Sequence, residues 1–411
     1  MTCPPDPMLV RFLVPANIRH NSGGNVYNAR LIQGLRTLGV AVETLAVDGS
    51  WPEASARERR RLGVLLGAGD PGVDQPRVEI TPETVTLVDG LIACGAPDEL
   101  EYAAAAGQHT WVLQHMPSPS HPDGEGRSLR AAAGVICTSS SAAASASEKH
   151  GLRASRVALP GTDPAPVASG SAPPHIIAVA ALLPNKDQLL AVGALARLQD
   201  LPWSASLVGT DDADPAYASQ VRAAIASYGM EGRVRVTGQL AGSALAGEWN
   251  RTDLSLLVSR AEAFGLVVTE SLARGIPVIV REGTGAVDAL GLAGRLAGRL
   301  AGRLAGRLDG KPGGGSYAVP GAAVGLAGPE GNRPDVLAAV IRQWLVDGSL
   351  RVGWRAAALA AREQLPGWNS TARNVLEILG VPAEEAPAEE MPAEEAPAEG
   401  TPTAAATAGG Q

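Results

Sequence analysis

Two carboxylates eight positions apart, Glu262 and Glu270, stand in the segment Ser259-Arg-Ala-Glu-Ala-Phe-Gly-Leu-Val-Val-Thr-Glu-Ser-Leu-Ala-Arg-Gly-Ile-Pro-Val-Ile-Val280. The apolar run before Ser259 reads as a strand, Gly265 as part of a turn, and the residues after it as a helix. Backbone N–H groups at that helix start form a ready site for a phosphate or other anionic charge. A carboxylate accepts two hydrogen bonds from a vicinal diol. The pattern therefore suits one carboxylate reaching sugar hydroxyls and the other a ribose diol, beside an anion.

Phe264-Gly265 between the two glutamates and Gly275-Ile-Pro-Val after them complete a pattern that resembles the E-x7-E motif of family 4 glycosyltransferases. The resemblance spans roughly residues 8–380, apart from an insert of repeats. It implies a GT-B fold, a nucleotide diphosphate sugar as donor, and transfer with retention of anomeric configuration. It also implies that no metal or other cofactor is needed. In the segment Val179-Ala-Ala-Leu-Leu-Pro-Asn-Lys186, the lysine matches one half of the family's basic pair for the diphosphate. The arginine expected five positions earlier is Ala181, so one contact is missing or supplied from elsewhere. Lys186 is one of only three lysines among 34 basic residues, which argues for a specific reason to keep it. The leaving phosphate is expected to rest on Lys186 and helix N-termini, which supply the electrostatic stabilisation.

The first domain carries further candidates. Gly23-Gly24 in Arg19-His-Asn-Ser-Gly-Gly-Asn-Val-Tyr27 resembles the family's loop between first strand and first helix. Glycines there let the backbone approach a diphosphate closely. Arg19, His20 and Asn25 are candidates for the acceptor side. The resemblance implies that His115, at a strand end before Met116-Pro117, faces the transferring sugar, where an imidazole can hydrogen-bond a hydroxyl. Catalytic roles thus fall to His115, Lys186 and Glu262. Donor binding falls to Gly23, Gly24, Lys186, Gln239, Glu262, Phe264, Gly265, Leu266 and Glu270, and the resemblance implies base contacts, largely to backbone, near Gly238-Gln239.

Two α/β series must hold these residues. Strands are expected at 10–14, 41–47, 85–94, 111–115 and 135–139, with helices at 26–38, 98–107 and 141–150. The Pro- and Gly-rich stretch 160–174 reads as a linker. A second series follows, with strands at 176–182, 205–209, 233–237, 254–258 and 277–281 and helices near 187–199, 216–228 and 265–274. Helical patterns resume at 334–346, 351–364 and 369–379. The expectation is two Rossmann-like domains, 1–165 and 166–380, facing across a cleft. Within the second lies a low-complexity insert, 293–315, that contains four tandem Ala-Gly-Arg-Leu copies over 293–308. Residues 381–411, rich in Pro, Ala and Glu, cannot bury a core and are expected to be disordered.

Composition narrows the classes further. The formal net charge is −8, but residues 381–411 hold seven glutamates and no other charge, so the body is near neutral. That gives no reason to expect nucleic acid. Cys3, Cys94 and Cys137 are too few and too scattered for a disulfide framework or a zinc site. The N-terminal residues lack the pattern of a secretory signal. A cytoplasmic protein is the expectation. Arg57 and Arg59 to Arg61 beside Leu62 suggest a membrane-surface helix, but residues 1–165 hold 14 basic and 17 acidic residues, which weighs against it. Asp212-Ala-Asp214 mimics a metal-binding motif, and Gly283-Thr-Gly285 mimics part of a dinucleotide fingerprint without its third glycine. The acceptor, a soluble metabolite or glycan on this reading, is not specified. Two competing functions remain: a non-catalytic nucleotide-sugar sensor or partner subunit, and a sugar-nucleotide epimerase.

Overall fold

The computed structural model describes residues 9–17, 22–68, 84–118, 120–152, 155–295, 319–328 and 331–381. They build two parallel six-stranded sheets with helices on their faces, an α/β architecture of two Rossmann-like units.

The first sheet contains β1 (Leu9–Pro15), β2 (Ala41–Val47), β3 (Thr84–Asp89), β4 (Thr110–Gln114), β5 (Gly134–Cys137) and β6 (Ser155–Val157). Their spatial order is β2-β1-β3-β4-β5-β6. The near-continuous apolar run of β1 is what a strand covered on both faces needs. Its one charge, the buried Arg11, is neutralised by Glu43 at 2.8 Å and donates to the Leu65 carbonyl. Helix α1 (Gly23–Thr37) starts with Ser22 accepting the Asn25 N–H, and it buries Tyr27, Leu31 and Leu35 on one face. Helix α2 (Ala56–Leu65) opens with a Ser55/Glu58 capping box and buries Leu62. The arginines considered for a membrane surface belong to this packed helix. Among the described residues, no helix is long and apolar enough to cross a membrane.

The apolar run 85–94 is not one strand. The chain turns at Asp89, whose carboxylate accepts the Leu91 N–H and caps α3 (Gly90–Cys94). α4 (Pro97–Ala105), α5 (Pro122–Ala131) and α6 (Ser140–His150) complete the helices of the first unit's main run.

The second sheet runs β12-β11-β10-β7-β8-β9. Its strands are β7 (His175–Val179), β8 (Ser204–Val208), β9 (Val234–Gly238), β10 (Leu254–Leu257), β11 (Val278–Arg281) and β12 (Gly321–Val324). α7 (Gln188–Leu195), α8 (Pro215–Ser227), α9 (Gly242–Asn250), α10 (Leu266–Leu272) and a helix α11 at 286–295 lie between them. Helix α10 is shorter than the expected 265–274 because Ala273 and Arg274 turn off towards Gly275, whose φ is +68°. The α9 sequence has two glycines and a weak pattern, and it folds around the buried Trp249. Of the Ala-Gly-Arg-Leu repeats, Ala293 to Arg295 are helical and belong to α11. The rest of the 293–315 insert up to residue 315, and the tail from 382 to 411, lie outside the described residues.

The chain then crosses back. α12 (Pro334–Val346) and α13 (Gly348–Arg362) pack on the second unit, where Leu337, Ile341 and Trp344 join its core. α14 (Trp368–Leu379) instead buries Ala372, Val375 and Leu376 with Phe12, Leu31 and Leu35 of the first unit. The sequence division at 165/166 assigns this helix to the second unit, whereas its core contacts are with the first. At the crossing, the Thr162 N–H donates to the Pro366 carbonyl at 2.8 Å.

Candidate functional site

In open parallel sheets, ligands bind beyond the carboxyl ends of the strands where the strand order reverses. The first sheet reverses between β1 and β3, and the second between β7 and β10. The segments that follow these four strands, with those after β4, converge on one cleft of about 530 Å3. Its walls include Gly23, Gly24, Asn25, Asp89 and His115 from the first unit, and Lys186, Glu262, Phe264, Gly265 and Leu266 from the second.

Lys186 ends a 3-10 turn (Pro184–Lys186) directly after β7, and its Nζ donates to Glu262 Oε1 at 2.5 Å. The turn is fixed by the next residue. Asp187 is the only non-glycine with positive φ among the described residues (φ 55°). Its buried carboxylate is held by Arg281, by Arg260 at 3.2 Å and by Asn332 at 2.8 Å. Three donors from three elements lock an otherwise strained backbone and thereby aim Lys186. Ala181, where the resemblance expects a cation, contributes only a backbone carbonyl, which accepts from Gln188 Nε2 at 2.9 Å. Arg260 does not replace it: this guanidinium is spent on Asp187, and it lines a different depression.

The loop carrying Glu262 is packed from behind. The Gly285 N–H donates to the Glu262 carbonyl at 2.8 Å, and a Cβ on Gly285 meets the Ala263 carbonyl oxygen at 1.8 Å. Gly283-Thr-Gly285 is thus a support for this loop. Gly265 has φ +83°, and a Cβ there lies 2.8 Å from Leu257. Only glycine fits this turn, which delivers the buried Phe264 to the core and Leu266 to the start of α10. No side chain caps that helix start.

On the opposite wall, His115 Nε2 lies 2.9 Å from Asn28 Oδ1 and 3.3 Å from Asp89 Oδ2. Asn28 donates to Asp89 at 2.7 Å. Burial opposes ionisation of Asp89, but His115 together with the Asn28 and Leu91 donors outweighs it and holds the carboxyl below its usual range. A buried carboxylate therefore fixes the imidazole orientation, with Tyr27 edge-on to the ring at 5.4 Å. Gly24 sits against the ring, since a Cβ there is 3.2 Å from His115 Cδ2. Sequence reasoning misses Asn28 and Asp89. Asp89 has a signal, a carboxylate closing an apolar run before glycine; Asn28 has none, because it lies inside a helix. Cys94 also lines the cleft, but burial pushes its thiol up to about 12, so it is no nucleophile at neutral pH.

Not every expected residue is brought together. Gln239 is exposed beyond β9 and Glu270 is half-buried in α10, and neither is among the residues that line this cleft. Burial pushes the Glu270 carboxyl above its usual range despite the nearby Arg274. Arg19 and His20 lie outside the described residues. Asp214 caps α8 by accepting the Tyr217 N–H, and Asp212 accepts from Thr210, so that pair of aspartates is engaged within the protein. Among the described residues, no group of three or more His, Cys, Asp or Glu is placed to hold a metal ion.

Residues 162–296 match the family model described as glycosyl transferases group 1. No curated protein matches the chain. Among solved structures, a glycosyltransferase from Rickettsia africae superposes with a TM-score of 0.63 at 16% identity, covering 91% of this chain and 98% of that one. HepE of Anabaena, in complex with UDP and glucose, gives 0.62 at 18% identity over 91% and 99%. A sucrose-phosphate synthase from Thermosynechococcus elongatus gives 0.62 at 16% identity over 91% and 98%. The chain has the GT-B fold, and the matched segment, which holds Lys186, Glu262 and Glu270, supports glycosyl transfer.

Proposed function

We propose that the protein is a retaining, metal-independent glycosyltransferase that takes a sugar from a nucleoside diphosphate, UDP sugars being the first choice. The observation that carries this is the meeting of Lys186 and Glu262 with Gly23-Gly24 and His115 across one cleft. The diphosphate lies between the α1 start and Lys186, where backbone N–H groups and an ammonium supply positive charge. The sugar lies between Glu262 and His115. UDP in the HepE complex favours the uridine nucleotide.

In the reaction, the bond from the anomeric carbon to the phosphate oxygen breaks, and a bond to the acceptor hydroxyl oxygen forms on the same face. The acceptor proton passes to the departing phosphate oxygen, so no separate protein base is required. Lys186 must exchange Glu262 for the diphosphate as negative charge develops there. Glu270 is assigned to the ribose and Gln239 to the base, which requires the donor to extend past the cleft described above.

Thermal shift with a panel of nucleoside diphosphates and their sugars, with and without EDTA, tests the donor site. A ligand at 100 times its Kd adds about 2.7 kcal/mol of stability. A selective shift that survives EDTA and vanishes in Lys186→Ala is expected, followed by an α-to-α product by NMR from an α-linked donor. A shift abolished by EDTA, or an inverted product, refutes the corresponding part.

A further inference from the structure

The cleft has two chemically different walls. Pro15, Pro52, Leu91, Met116, Pro117 and Pro160, all outside the second unit's sheet, make one side apolar. Met116 is an exposed, unbranched side chain that adapts to irregular ligands. The charged groups on this side, among the described lining residues, are the carboxylates Glu53, Asp89 and Glu125. Among the described lining residues, none contributed by the first unit is Lys or Arg. The cleft's Lys186 stands on the other wall, already paired with Glu262.

The three carboxylates are built in differently. Asp89 is fixed by His115 and Asn28 as described above. Glu125 is buried, accepting from Gln114 Nε2 at 2.5 Å and from the Ser118 N–H at 2.7 Å, with His150 Nε2 at 2.7 Å. Glu53 is at the rim with its side chain 67% exposed, and His121 lies 3.9 Å away. Ser118 ties Glu125 to the segment after His115, so this acidic wall and the position of Met116 and Pro117 are one construction.

We propose that the acceptor seated on this wall is a neutral or cationic molecule with an apolar body, and that anionic acceptors are rejected. This rests on the glycosyl-transfer reading. An acceptor carrying a carboxylate or phosphate meets Glu53 at the rim on one side and the donor's diphosphate on the other. Like charges held close repel, and more strongly the further they lie from bulk water. The apolar prolines and Met116 offer a flat aglycone a surface to leave water, and Glu53 favours an ammonium over a hydroxyl.

Three probes of one shape separate the possibilities: phenyl β-D-glucoside, its 2-amino-2-deoxy analogue and its uronic acid. Binding to the full chain is measured by calorimetry and ligand-observed NMR, after a separate titration with UDP alone. The neutral and amino compounds are expected to bind, with the uronic acid at least tenfold weaker. Glu53→Lys is expected to narrow that gap at least threefold. A uronic acid that binds as well as the glucoside, a gap unmoved by Glu53→Lys, or no binding by any of the three overturns the proposal. Failure of UDP to bind, with the glycoside order intact, instead overturns the donor-site reading and leaves the character of this wall standing.

Discussion

The Lys186–Glu262 contact makes a counterintuitive demand: removing an acidic residue from the candidate sugar site tightens the binding of a nucleoside diphosphate that has no sugar. Both side chains are mostly buried, 23% and 15% exposed, and Nζ lies 2.5 Å from Oε1. Before Lys186 can hold a phosphate oxygen, it must release this carboxylate. A hydrogen bond to a charged group contributes about 1.5–3 kcal/mol. In a Glu262→Gln variant the amide oxygen still accepts a hydrogen bond, so up to half of that, about 1.4 kcal/mol at the upper end, is removed from the competition, equivalent to tenfold in affinity. Glu262→Gln is therefore expected to bind UDP up to about tenfold more tightly while losing sugar transfer. Loss of a nearby negative charge favours a dianion by itself, and a double-mutant cycle separates the two effects. In a Lys186→Met background the Glu262→Gln gain is expected to shrink to threefold or less. The assay is calorimetric titration of the four proteins with UDP. Unchanged or weaker binding by Glu262→Gln, or an undiminished gain in the Lys186→Met background, refutes competition for the lysine.

Three other outcomes follow from the same geometry. Glu270 has a raised pKa caused first by burial, so its ionised form destabilises the fold at neutral pH and protonation on acidification relieves this; Glu270→Gln is expected to raise Tm at pH 7.5, each kcal/mol recovered giving about 2–4 °C, while weakening UDP binding. A Tm that falls contradicts the burial argument. His175 is fully buried, and burial, then Arg251, lowers its pKa to about 4 from 6.5. The unfolded chain therefore binds the extra proton between those values, so this contribution is complete above pH 6.5 and lost as pH falls towards 4; His175→Asn is expected to flatten the urea-midpoint profile across that window, and an unchanged slope counts against it. Gly285→Ala places a methyl 1.8 Å from the Ala263 carbonyl oxygen, so the Glu262 loop must move; overpacking of this kind costs roughly 1–3 kcal/mol, and UDP-sugar binding is expected to weaken at least tenfold at a temperature where circular dichroism shows the fold retained. Wild-type binding by that variant is the contrary result.

The second unit is more legible in the sequence than the first. Its strands are short apolar runs punctuated by glycine and proline, and the glutamate motif is local, so residues 259–280 can be placed without knowing what packs on them. Lys186 is found the same way, by its place after a strand. What cannot be read locally is what holds these residues. Asp187 is an ordinary aspartate in sequence, and its partners Arg260, Arg281 and Asn332 come from positions up to 145 residues away. The His115–Asp89–Asn28 cluster likewise unites three elements. Apolar runs hide boundaries for a related reason: residues 85–94 are largely buried, and only the capping of Leu91 by Asp89 divides strand from helix. Gln239 and Glu270 are assigned through their motif context, whereas the described cleft ends short of both.

The return of α14 to the first unit changes what counts as a separable piece of this protein. A fragment cut at the linker loses the Ala372, Val375 and Leu376 side chains and leaves Phe12, Leu31 and Leu35 uncovered, so the amino-terminal half is not expected to be soluble alone. The outgoing and returning strands of backbone also run side by side: the Thr162 N–H reaches Pro366, and a Cβ on Gly161 lies 2.3 Å from the Trp368 nitrogen. Two covalent tethers at a single point leave the lobes able to swing about it but poorly able to slide or drift apart. An opening or closing of the cleft is therefore expected to take the form of a pivot near Gly161 and Gly367.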